Sequence, residues 1–104
     1  MSWFVLILSG VLEAVWAIAL GRSDGLTRPV PTVTFVVALL LSMSGLAFAM
    51  RDLPTGTAYA VWVGIGATLA VAWGMVTGVE PSSPLRILFL VAIVGGVVGL
   101  KAIS

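Results

Sequence analysis

The stretch Leu6-Ile7-Leu8-Ser9-Gly10-Val11-Leu12-Glu13-Ala14-Val15-Trp16-Ala17-Ile18-Ala19-Leu20 decides the fold. It is an apolar run of membrane-helix character with a single carboxylate at its centre. A charge at bilayer depth costs at least about 2.5 kcal/mol, and one substitution to Leu would remove that cost. An ionisable side chain kept inside a membrane span marks a functional site. Glu13 is therefore the candidate binding residue.

Working outward, the first span is expected over about 3–20, before a segment of charges, glycines and prolines at 21–31 that reads as a loop. A second span, about 32–50, carries no charge. Arg51-Asp52-Leu53-Pro54-Thr55-Gly56 is a turn, and the third span covers about 57–79. Glu80-Pro81-Ser82-Ser83-Pro84 breaks it, and the fourth runs over about 85–103, with Arg86 and Lys101 near its ends, where long cationic side chains snorkel. Crossing the hydrocarbon core takes roughly twenty residues. The expected architecture is thus a single all-α integral membrane domain, 1–104, of four transmembrane helices. Ala17-Ile18-Ala19 resembles a signal-peptidase site, but no Lys or Arg precedes the apolar run and Glu13 would lie within it, so the segment reads as a retained helix.

Composition agrees. Of 104 residues 61% are hydrophobic and 9% charged, a surface that a water-soluble domain of this size cannot present. Cysteine and histidine are absent, which excludes a disulfide framework and the usual transition-metal ligand sets, so neither metal nor cofactor is expected. A net charge of +1 offers no basic patch for nucleic acid. With four carboxylates in the whole chain, a hydrolytic or phosphoryl-transfer centre is hard to assemble, and an enzyme is not expected.

Four short spans enclose too little wall for a solute path, which points to an oligomer. Gly95 and Gly99 in the fourth span have GxxxG spacing, and Ala92 and Gly96 repeat it one step round. Such small residues let helices approach closely in lipid, within one subunit or between two. Loop charge is nearly balanced: Arg22, Arg28 and Arg86 on one side, Arg51, Lys101 and the amino terminus on the other. The positive-inside rule needs an imbalance to set orientation. A chain without one can insert both ways, and an antiparallel homodimer is then physically reasonable.

Residues three and four apart share a helix face. Glu13 therefore has Ser9 and Gly10 on one side and Trp16 and Ala17 on the other, with Gly10 opening space and Trp16 offering an indole donor and an aromatic wall. Tyr59 and Trp62 are three apart on the third span, followed by Gly64-Ile65-Gly66, a pair of glycines that predicts a hinge. Ser42 adds a hydroxyl to the second span. Together these groups can line a cation site with aromatic faces. Simpler readings stand beside this one. Trp3 and Trp73 suit interfacial anchoring, Ser42 can bond back to its own helix, and Glu13 can pair structurally with Lys101.

The segments Gly-Val-Leu-Glu-Ala-Val-Trp-Ala (10–17), Leu-Pro-Thr-Gly-Thr-Ala-Tyr-Ala-Val-Trp-Val-Gly-Ile-Gly (53–66) and Glu-Pro (80–81) resemble those of the small multidrug resistance transporters, over essentially the whole chain. Within that family Trp16-Ala17, Ser42 and Gly-Leu-Lys-Ala (99–102) resemble the guanidinium-exporter branch; the quaternary-ammonium branch usually has small residues such as Gly-Thr in place of Trp16-Ala17. The resemblance implies a multi-pass protein of the bacterial inner membrane, an antiparallel homodimer of dual topology and proton-coupled antiport of small cations. Two copies of Glu13 would form the site, with Trp16, Ser42, Tyr59 and Trp62 supporting or gating it. One departure stands out: Gly21, followed by Arg22, occupies the end of the first span, where the family commonly has Lys.

Desolvation penalises the charged form of a carboxyl group, and a second one nearby penalises it further. Proton and cation then compete for the same pair, so a proton gradient drives guanidinium export if the dimer exchanges faces only when neutralised. The alternatives are a broad quaternary-ammonium exporter, or a non-transporting or heterodimeric partner subunit.

Overall fold

The computed structural model describes residues 2–103. The amino-terminal charge counted above, on Met1, lies outside them. Four helices follow one another: α1 (Ser2–Arg22), α2 (Pro29–Ala49), α3 (Thr55–Val76) and α4 (Pro84–Ala102). Each is long and apolar enough to cross a membrane.

The helix ends follow local chemistry. Pro29 and Pro84 occupy first-turn positions of α2 and α4, where no backbone donor is lost. Ser83 caps α4, its hydroxyl accepting from the Arg86 backbone N–H at 3.1 Å. The first connection is shorter than the expected 21–31, because α1 continues through Arg22 and α2 opens at Pro29. Ser23, fully buried, closes it by donating to the Leu20 carbonyl (2.7 Å) and accepting from the Leu26 N–H (3.0 Å). Asp24, Gly25 and Leu26 then turn through left-handed backbone, φ 51°, 71° and 70°. Helix α3 stops at Val76 rather than near 79 because Gly78 (φ 80°) reverses the chain and the Glu80 N–H bonds back to the Gly74 carbonyl at 3.0 Å.

Helix α1 is the hub. It packs along α2 and against α3, α3 in turn carries α4, and α2 barely meets α3. Leu6, Leu46, Ala49, Ala58, Val61 and Trp62 form the core where α1, α2 and α3 meet. Outward faces are apolar: Val33, Leu40, Phe89 and Val98 are each about 60% exposed, an arrangement stable in lipid rather than water. The molecule is a slab of 41 × 34 × 17 Å, and none of α4 is buried.

Candidate functional site

Contacts between α1 and α3 advance together along both chains, so the two helices run in the same direction. A side chain at Gly10 would meet Ile65 Cβ at 2.8 Å and the Trp62 carbonyl at 3.4 Å. A turn further, the Glu13 carboxylate lies against Gly66, in the space a β-carbon there would fill. The glycine roles thus differ from those read in the sequence. Gly10 receives Ile65, and Gly66 makes the room for the carboxylate. Gly64 is a seat as well, for Val97 of α4. Helix α3 passes through both glycines without interruption.

Glu13 is half-buried and forms no hydrogen bond or ion pair among the described residues. Lys101 is not its partner, since its ammonium sits over the Trp3 ring, 5.2 Å from the centroid. Trp3 precedes Glu13 by ten residues, about 15 Å along the helix.

Trp16 projects one turn beyond Glu13. Its ring meets Phe35 of α2 edge-on, centroids 5.9 Å apart, and its buried indole nitrogen has no acceptor among the described residues. A buried donor left unpaired costs about 1–3 kcal/mol, and the Thr32 and Thr68 hydroxyls are likewise without a partner among the described residues.

Below Glu13 a polar relay joins three helices. The buried Trp62 indole donates to Ser42 Oγ at 3.0 Å, and Ser42 Oγ donates to the Ser9 carbonyl at 2.7 Å. The hydroxyl proton of Ser42 therefore goes neither to its own helix nor to Glu13. Ser9 itself donates to the Val5 carbonyl at 2.7 Å and fills the notch left by Gly45. Gly45 and Phe35 are neighbours that the sequence did not single out, and Ser9 was placed beside Glu13 without its contacts to α2, because cross-helix register has no signature in one strand of sequence. Tyr59 stacks on Trp62 at 5.9 Å with its ring tilted 34°, yet it is 55% exposed and faces out of the bundle. Gly95 and Gly99 meet nothing within 4 Å, being turned away from the α3 contact made through Val97.

Three cavities of about 370, 410 and 440 Å³ lie away from Glu13. The carboxylate itself is half-buried where α1 meets α3 at Gly66.

Four apolar helices, the first bearing a carboxylate with no partner among the described residues, define a multi-pass membrane protein with an ionisable group inside a span. The sequence profile of the Small Multidrug Resistance protein family matches residues 1–93, and the chain belongs to that family. It is 50% identical over 101 residues to the protein named guanidinium exporter of Citrobacter freundii, covering 97% of this chain and 96% of that one. With the same coverage it is 50% identical to the guanidinium exporter of Salmonella typhimurium, and 48% identical to that of Escherichia coli strain K12.

Proposed function

We propose that this chain is a proton-coupled antiporter that exports guanidinium and small substituted guanidinium cations across the bacterial inner membrane. The observation that carries the reading is the half-buried, unpaired Glu13 in a chain 50% identical to guanidinium exporters. An unpartnered carboxylate out of water favours whatever cancels its charge. A proton does so, and so does a guanidinium ion, whose N–H fork matches two carboxylate oxygens. Binding of the two is therefore exclusive, and exchange of sidedness by the neutralised site couples them.

The working unit is an antiparallel homodimer. Three features support it: Glu13 is only half-buried within one chain, α4 buries none of its residues, and the Gly95–Gly99 face is unoccupied. Two copies of Glu13 then share one chamber. Trp16 supplies a wall and a free donor, Ser42 and Trp62 hold the floor through their relay to Ser9, and Tyr59 faces the partner. Gly64 and Gly66 are where α3 flexes when the chamber changes sides.

Side-by-side electrophysiology on proteoliposomes tests the substrate. Guanidinium is expected to give currents that Glu13→Gln abolishes, while tetraphenylphosphonium gives little. Robust currents with the phosphonium and none with guanidinium would overturn the assignment. Guanidinium transport at wild-type rate by Glu13→Gln would remove the mechanism.

A further inference from the structure

Two of the glycine seats on helix α3 receive a carboxylate. Glu13 lies on Gly66; Glu80 lies on Gly74, where its Oε2 occupies the space of the missing β-carbon. The seats are eight residues apart, about 12 Å of helix rise on one face. Between them the lining is small. Ala70 and Gly74 on α3 face Ala17 and Gly21 on α1, and these four residues border the 440 Å³ cavity that opens beside Glu80. Since α1 and α3 run in the same direction, this groove starts one turn past Glu13 and ends at the mouth of the helix pair.

We infer that Glu80 is a second cation station, a mouth site that holds guanidinium on its way between Glu13 and the aqueous phase. The inference rests on the reading of the chain as a guanidinium exporter. Glu80 has the features of a way-station rather than a trap. It is 38% exposed, and the Trp73 ring lines the same cavity as an aromatic wall for a weakly hydrated cation. Only one of its oxygens is engaged: Oε1 meets Arg86 Nη1 at 3.5 Å, a single long contact rather than a fork, and Oε2 has no hydrogen bond among the described residues. Half-exposed pairs of this geometry contribute little and exchange readily. The group that Arg86 offers is itself a guanidinium. The protein therefore keeps a tethered copy of its substrate on the mouth carboxylate, and a free guanidinium ion competes with it. Arg22 also lines the cavity, but it is exposed and can extend into water as the cation passes.

The competition fixes opposite signs for two variants that break the same pair. In proteoliposomes under a pH gradient, Glu80→Gln removes the station and is expected to raise the guanidinium KM about three- to tenfold, the modest end of electrostatic steering effects. Arg86→Gln removes the tethered competitor and is expected to lower KM about twofold. Glu80→Asp, which keeps the charge, should fall between wild type and Glu80→Gln. If Glu80→Gln does not fold, the fall in KM with Arg86→Gln still decides the matter. Equal shifts of the same sign in the Gln variants would show that the pair only clamps the α3–α4 turn, and unchanged KM values would show that Glu80 is bypassed; either result overturns the proposal. Glu13→Gln, run alongside, reports separately on the principal site: if it still transports, the fault lies in that reading and not at Glu80.

Discussion

Gly66→Ala separates stability from function at the site. The new methyl would occupy the place of the Glu13 carboxylate, whereas at Gly56, on the same helix, a β-carbon meets nothing within 4 Å. Gly to Ala in a helix interior gains about 1 kcal/mol from propensity, and overpacking costs typically about 1–3 kcal/mol. Here the displaced atoms are the end of a flexible side chain, so the Glu13 carboxylate moves aside and the packing cost falls at the low end. The two contributions roughly cancel, and thermal unfolding of Gly66→Ala in detergent should lie within about 1 kcal/mol of wild type. Binding should not survive so well. A carboxylate shifted by about 1 Å no longer meets both donors of a guanidinium fork, a misplacement worth about a hundredfold in well-oriented sites. Calorimetric titration with guanidinium and proteoliposome currents read the loss directly, with Gly56→Ala as the control that should bind and transport normally. Wild-type affinity in Gly66→Ala, or equal losses in both variants, would refute the argument that Gly66 positions Glu13.

The relay beneath the site makes a second prediction: Ser42→Ala and Trp62→Phe should each destabilise the folded chain by about 0.6–1.7 kcal/mol, the range for interhelical hydrogen bonds in membranes. The double variant should cost less than the sum of the two, and strict additivity in a double-mutant cycle would show that the 3.0 Å contact is energetically idle. A third concerns topology. Nearly balanced loop charge should yield both orientations in one membrane, and added Lys at one end should bias insertion and reduce transport until an oppositely biased copy is co-expressed. The chain has no native Cys, so a single engineered Cys in the 23–28 loop reports orientation cleanly; labelling from one side alone would exclude dual insertion.

Four spans and their order were legible in the sequence alone, as was the position of Glu13 inside the first of them. The reason is that lipid imposes a one-dimensional rule: about twenty apolar residues per crossing, and no charge without a purpose. Turn chemistry was legible to within a few residues. Prolines mark where helices open, whereas the end of α3 depends on Gly78 and on the bond from the Glu80 N–H to Gly74, which composition does not reveal. Tertiary structure alone decided which glycine serves which neighbour. Gly10 and Gly66 look alike in sequence, yet one receives Ile65 and the other the carboxylate of Glu13. It also decided where the Ser42 proton goes. A hydroxyl in an apolar helix has several acceptors within its rotamers, and only the crossing of α1 over α2, set by Ser9 in the notch of Gly45, brings the Ser9 carbonyl to 2.7 Å. Periodicity tells which face a residue occupies; the partner on that face is fixed by how far each helix slides and turns against the next, and that is a property of packed side chains rather than of any single segment.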